Sequence, residues 1–334
     1  MKIAVVGAGA IGGLVAGYLK LKGEDVCLTA HPDSVKAIKE KGLEIQGVRG
    51  NFSVNIDVEA RLQTQPFLAI LATKTQDLEF ALKENLGYLK ASLILTTQNG
   101  IQADGLTKQY VDKRNIISSI VMFGSTLLEP GKIMHNFEGE WIIAKAFGAN
   151  DESVIKVGSI LNKAFTVVVS EDLLGMKFLK IFVNANNCIA AILGKSMQEA
   201  FQDIDIAKIS IAIWKEGLEI VNKSGIRLSS LPDFPLERLT KLTSLPVLEA
   251  AKIYSGIMKS LSKEPLYGSL LQSIKRGKAS EIDYINGEFV RLSRNHGASA
   301  PLNEKLVEMV HQVEQTHRFF TREELLSRVK GFCN

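Results

Sequence analysis

The sequence predicts an α/β protein whose first half is a doubly wound, mostly parallel sheet and whose second half is mostly α-helical. Three observations carry this expectation. A glycine-rich turn, Gly7-Ala8-Gly9-Ala10-Ile11-Gly12, follows a short β-branched run; strand-like and helix-like segments then alternate; and near residue 170 the texture changes to long helical stretches. With 334 residues the chain is long enough for two domains, and we place them at 1–168 and 169–334.

Each element follows from local pattern. Residues 2–6, KIAVV, form a short apolar run of the kind buried in parallel sheets. A helix over 10–22 follows the glycine turn, DVCLTA at 25–30 is a second strand, and a helix over 33–41 stops at Gly42. LEIQGVRGNFSVNI folds back on itself about its Gly-Val-Arg-Gly turn as two strands. FLAILAT (67–73) and SLILTT (92–97) are buried strands flanking a helix over 76–89. NIISSIVMFGS gives another strand, and 132–147 alternates like antiparallel strands. Beyond FTVVVS, helices are expected over 171–193, 203–223, 248–262, 265–277, 281–297 and 301–318, with Pro232, Pro235 and Pro246 marking a connecting region.

Composition excludes several classes of function. Forty basic against 36 acidic residues give no large field for nucleic acid. The densest basic cluster, KRGK at 275–278, reads as a solvated helix end. No run of apolar residues approaches the ~18 that would span a bilayer, so no membrane partner is expected, and the apolar opening lacks a cleavage pattern. Cys27, Cys188 and Cys333 are far apart, lack metal-ligand spacing, and read as reduced thiols of a cytoplasmic protein.

The glycine turn is G-x-G-x-x-G placed after a strand and before a helix, the context in which it signals a Rossmann-type NAD(P)-binding domain. Gly7 permits the tight turn, Gly9 lets the backbone approach a pyrophosphate, and Gly12 lets helix and strand pack closely. The helix N-terminus offers unpaired N–H groups and partial positive charge to phosphates. An acid at the end of the second strand would hold the ribose of NAD, but Thr29-Ala30-His31 stands there. Asp33, slightly later, reads as a helix N-cap. With His31 and Lys36 nearby, a 2′-phosphate is tolerated and NADP is favoured, with NAD left open.

The apolar segment GMKFLKIFVNANNCIAAIL (175–193) carries Lys180, Asn184 and Asn187 at offsets of four and seven, one face of a single helix. Unpartnered polar groups on such a helix cost roughly 1–3 kcal/mol each, so they either satisfy one another at a domain junction or line a wet cleft. Lys177 competes with Lys180 but reads as solvated. In SEIDYINGEF (280–289) the spacing fits an ordinary helix start, Ser280 capping and Glu281 and Asp283 complementing the dipole.

At these residues the sequence resembles the ketopantoate reductase (2-dehydropantoate 2-reductase) family over nearly its whole length. The opening MKIAVVGAGAIGG, Lys74 in LATKTQD, Asn99 in QNG, Lys180 with Asn184 as K-x-x-x-N, and Ser269 twelve residues before Glu281 in EIDYING carry the resemblance. It implies an NADPH-dependent reduction of ketopantoate to pantoate, a step in pantothenate and coenzyme A synthesis. It further implies that Lys180 is the general acid, that Glu281 supports it, that Asn184 and Ser269 hold the substrate, and that Lys74 and Asn99 face the nicotinamide half of the cofactor. Asn187 joins the substrate-binding set in place of a family asparagine whose position here is Cys188. His31 stands for a family arginine and Ser273 for a family acid. Another branched 2-oxo or imino acid is the alternative substrate, and a nucleotide sensor without turnover is the reading from a different class. A homodimer is compatible with the apolar helical half.

Overall fold

The computed structural model describes residues 1–262 and 264–332; Cys333, one of the three expected thiols, lies outside them. The chain forms two compact units, Met1–Leu173 and Leu174–Asn334.

In the first unit the chain runs β1 (Ile3–Val6), α1 (Ala10–Leu21), β2 (Val26–Thr29), α2 (Pro32–Lys41), β3 (Leu43–Gly47), β4 (Phe52–Val54), β5 (Asp57–Glu59), β6 (Leu68–Leu71), α3 (Thr75–Leu89), β7 (Leu93–Thr96), α4 (Gln102–Thr107), β8 (Ile116–Val121), β9 (Gly124–Glu129), β10 (Lys132–Phe137), β11 (Trp141–Lys145), α5 (Glu152–Leu161) and β12 (Val167–Val169). Eight strands form one sheet in the order β12-β11-β8-β7-β6-β1-β2-β5. All its pairings are parallel except β8 with β11. The chain moves outward from β1 through β2 to β5, then returns to β6 on the other side of β1. The β1/β6 boundary is therefore the switch point at which open α/β sheets hold their ligands.

A second sheet, β4-β3-β10-β9, rests on α1. Helix α1 is built of small residues for this reason. A methyl group on Gly13 would lie 2.2 Å from Ile133, and one on Gly17 would lie 2.4 Å from Ile45. Further along α1, Tyr18 hydrogen-bonds the buried His135 at 2.9 Å, and its ring packs edge-on to Phe52. The expected antiparallel strands within 132–147 are present but are not each other's partners. Strand β10 pairs with β9 and β3, whereas β11 crosses to the large sheet and pairs with β8. The crossing occurs at Gly139, where a Cβ would sit 2.6 Å from the backbone of Met122.

The second unit is helical: α6 (Leu173–Ala185, its first residue in the first unit), α7 (Asn187–Leu193), α8 (Met197–Phe201), α9 (Ile204–Lys223), α10 (Leu236–Ser244), α11 (Val247–Lys259), α12 (Ser269–Lys275), α13 (Asn286–Asn295), α14 (Pro301–Thr316) and α15 (Arg322–Val329). Three expected helices are altered. The helix over 171–193 is two helices broken at Asn186, whose buried side-chain amide donates to the Tyr254 hydroxyl at 3.0 Å. The helix expected from 265 begins only at Ser269, beyond Pro265. The one expected from 281 is a 3₁₀ turn, Ile282–Tyr284, that breaks at Ile285 before α13 starts. The proline-marked connection contains α10, with Pro235 as its N-cap and Pro246 as the N-cap of α11, positions where a missing N–H costs nothing. The stretch Leu173–Leu193 has the length and composition of a membrane span, but 72% of that window is buried inside the protein, which marks it as a core helix.

Candidate active site

The glycine turn lies at the switch point. Gly7 has φ +109°, and a Cβ there would press on Thr73 at 3.0 Å, just past the end of β6. Its N–H donates to the Thr29 carbonyl at 3.1 Å, tying the turn to the end of β2. A Cβ on Gly12 would fall 1.9 Å from the Gly7 carbonyl oxygen, so only hydrogen fits. Gly9 differs: nothing lies within 4 Å of the place its Cβ would take. The open space leaves room for a ligand to approach the backbone there. Gly9 is also the N-cap of α1 and supplies no side-chain cap. Ala8, Ala10 and Ile11, all half-buried, complete the turn, and the first N–H groups of α1 have no partner within the helix. The turn thus fits a pyrophosphate, the part of a dinucleotide it would hold.

Beside it, the ends of β6 and β7 are stapled together. The Gln98 amide donates to the carbonyls of Leu71 and Thr73, at 2.8 and 2.9 Å. This brings together Lys74, the N-cap of α3, and Asn99, whose carbonyl lies 3.5 Å from the Thr75 hydroxyl. Both residues are half-buried. Gln98 escaped the sequence reading because a lone glutamine carries no pattern.

At the end of β2, His31 is exposed and is itself the N-cap of α2. Asp33 is therefore not the cap; Pro32 takes the first helical position and moves Asp33 into the first turn, where its charge suits the dipole. Lys36 is exposed nearby in sequence. An acid not weighed from sequence, Glu59 on the neighbouring β5, is engaged by Lys39 at 2.8 Å.

In the second unit, Lys180 and Asn184 lie one turn apart on α6, both half-buried. Asn187 does not continue their stripe, since it opens α7 beyond the break at Asn186. Its side chain instead packs against Gly268, where a Cβ would meet it at 3.0 Å, and so lies next to the exposed Ser269 at the start of α12. Cys188 is fully buried, and burial pushes its thiol far above the ordinary range. Ser273 is buried too and returns its hydroxyl to the Ser269 carbonyl at 3.0 Å. Lys177 is not solvated as its spacing suggested: it is only 5% exposed, on the inner face of α6.

Burial and the Glu281 carboxylate pull the charge state of Lys180 in opposite directions. Burial prevails and brings its pKa down to about 8. The Glu281 carboxylate opposes that shift, and the Lys177 ammonium adds to it. The physical cause is loss of hydration around a cation on an apolar helix, only partly compensated by one nearby anion. The result is a group that holds a proton at neutral pH and releases it readily, the property a general acid needs. Glu281 is half-buried, between the buried Ile282 and Ser280. Ser280 does accept from the Ile282 N–H at 3.3 Å, but the N-cap of the 3₁₀ turn is Glu281 rather than Ser280, and Asp283 reaches His311 at 3.0 Å. His311 and Glu314, which hold this segment, were not singled out from sequence; they lie on a helix some 30 residues further on. Among the described residues, no group of three His, Cys, Asp or Glu is placed to hold a metal ion.

Fold and glycine turn together define a protein of the dinucleotide-binding α/β class joined to a helical unit. Profiles described as ketopantoate reductase PanE/ApbA and as its C-terminal part match residues 3–147 and 172–314. The chain is 31% identical over 308 residues to the 2-dehydropantoate 2-reductase of Pyrococcus abyssi, covering 91% of this chain and 94% of that one. It is 32% identical to that of Pyrococcus horikoshii, with the same coverage. The chain belongs to the ketopantoate reductase family and is an oxidoreductase. Among solved structures, its fold is similar to that of D-mandelate dehydrogenase with NADH and anilino(oxo)acetate (TM-score 0.81, 24% identity, 95% of this chain and 99% of that one). It is likewise similar to a PanE/ApbA family ketopantoate reductase from Ralstonia eutropha (TM-score 0.80, 22% identity, 94% and 99%).

Proposed function

We propose that this protein reduces 2-dehydropantoate to (R)-pantoate with NADPH, a step in pantothenate and coenzyme A biosynthesis. The observation that carries the reading is Lys180: a lysine brought to a pKa of about 8, under the influence of Glu281, within a segment that matches the family. In this reading the first unit holds the cofactor and the second holds substrate and proton donor. Gly7, Ala8, Gly9, Ala10, Ile11 and Gly12 cradle the pyrophosphate, His31 meets the adenosine ribose, and Lys74 and Asn99 meet the nicotinamide half. When bound, the nicotinamide supplies hydride to the C2 carbonyl carbon.

The chain's own residues do the rest. Lys180 directs its ammonium at the carbonyl oxygen, stabilises negative charge as it develops there, and passes a proton to it. Glu281 keeps Lys180 protonated against the pull of burial and completes the cofactor side of the site. Asn184, Asn187 and Ser269 hold the oxo acid in place. NADPH is favoured over NADH because no acid ends β2 and Glu59 is already paired with Lys39. The protein is expected in the cytoplasm, acting on a small molecule rather than on nucleic acid or a membrane, as a monomer or a homodimer.

The second reading, another branched 2-oxo or imino acid, is favoured by Cys188, a buried thiol engaged with Asn286 where the family has an asparagine. A sensor without turnover would have no use for a lysine tuned as Lys180 is. Oxidation of NADPH and NADH against ketopantoate and a panel of branched and aromatic 2-oxo acids tests all three. Fastest turnover with ketopantoate and NADPH is expected; preference for another acid moves the assignment to the second reading, and no turnover removes the enzymatic one.

A further inference from the structure

We propose that His311 is a positioning residue for Glu281, clamping to α14 the short segment that carries this carboxylate. The proposal rests on the roles given to Lys180 and Glu281 above. Glu281 lies outside regular structure, between α12 and a single 3₁₀ turn. Such a stretch does not by itself fix a carboxylate to within the fraction of an ångström that proton transfer requires. Two contacts flank it. On one side the Ser280 N–H donates to the Glu314 carboxylate at 2.7 Å. On the other, the Asp283 carboxylate lies 3.0 Å from His311 Nε2. His311 Nδ1 closes the circuit, 2.9 Å from the second oxygen of Glu314. One imidazole thus links the pins before and after Glu281, and the buried Ile282 is a third fixed point beside it.

Both ring nitrogens face carboxylates, an arrangement fully satisfied only when both donate, that is, by the imidazolium form. The two hydrogen bonds raise the pKa of His311 to about 10, so the clamp stays closed throughout the neutral range. The side chains of His311 and Asp283 are 38% and 56% exposed. Pairs this exposed contribute little to global stability. The value of the arrangement is local: it sets where Glu281 stands relative to Lys180.

The test compares wild type with His311→Leu, which breaks both arms, and His311→Arg, which keeps a cation with two donors. E281Q is the reference for loss of the carboxylate's influence. The Lys180 pKa is read from the pH dependence of its acylation by acetic anhydride, followed by mass spectrometry. Steady-state kcat and KM for ketopantoate and the NADPH dissociation constant are measured alongside. We expect H311L to lower the Lys180 pKa in the same direction as E281Q, to reduce kcat about ten- to a hundred-fold, and to leave NADPH affinity unchanged, with H311R recovering most of the loss. If E281Q shifts Lys180 and H311L leaves both its titration and kcat at wild-type values, the clamp is refuted. Should H311L fail to fold, Asp283→Asn removes one arm at an exposed position and carries the same expectation with smaller amplitude. Acylation needs no turnover, so a wild type inactive toward every 2-oxo acid would sink the functional reading while the labelling still decides the clamp.

Discussion

The Asn186 side chain donates to the Tyr254 hydroxyl across the core of the helical unit, at the point where α6 gives way to α7. A polar group in so apolar a segment costs free energy unless it is partnered. Here one residue interrupts the helix and a tyrosine from α11 meets it. The break directs Asn187 to Gly268 while Lys180 and Asn184 stay on the preceding helix. Tyr254→Phe leaves the Asn186 amide without this acceptor. It is expected to destabilise the protein by about 1–3 kcal/mol in denaturant unfolding, and a change indistinguishable from zero would remove the bond from any role in fixing the break.

The acid form of Lys180 is the working form in our reading, and its pKa is about 8. The rate constant kcat is therefore expected to be level below that value and to fall as pH rises through it. Glu281→Gln removes a carboxylate that holds the pKa up, so the descending limb should move to lower pH. Lys180→Ala is expected to lose most of kcat, about 10²–10⁴-fold, with NADPH binding intact. A pH profile flat from 7 to 10 in the wild type would contradict this role.

The glycine turn separates packing from ligand approach. Gly12→Ala places a methyl 1.9 Å from a backbone oxygen and should disturb the turn itself, lowering both stability and cofactor affinity. Gly9→Ala meets only open space. We expect its stability to change by less than about 1 kcal/mol while NADPH affinity drops clearly. Thermal unfolding and fluorescence titration of the two variants check this, and an unaltered affinity in Gly9→Ala would show that no ligand approaches there.

Ser269→Ala and Asn184→Ala are expected to raise KM for the oxo acid with a smaller effect on NADPH binding. Each removes a hydrogen bond of about 0.5–1.5 kcal/mol, more if the substrate carboxylate is the partner. Steady-state kinetics with each substrate varied in turn will show it. Unchanged KM in both variants would place the substrate pocket elsewhere.

The parts legible in the sequence were those governed by short-range rules. The glycine turn, the apolar strands and the long helices announce themselves by spacing. Two small helices were equally legible in principle: α8 and α15 open with complete capping boxes, Ser196 with Glu199 and Thr321 with Glu324, a signature visible as S-x-x-E and T-x-x-E. What could not be read depends on contacts between distant residues. The partner of Asn186 lies 68 residues away, that of Asp283 lies 28 away, and β10 finds its parallel neighbour in β3 across the whole of the large sheet's middle strands. The inward turn of Lys177 belongs with these, since helical spacing gives the angle between side chains but not which of them meets the core.

The small sheet pressed against Gly13 and Gly17 has a further consequence. With β-structure on both of its sides, α1 is a rod gripped along its length. In our reading, an incoming anion would meet a helix end held in place beforehand, so little disorder would have to be surrendered on association. On that reading the second sheet, remote from any chemistry, would serve the tightness of binding at the tip of the rod.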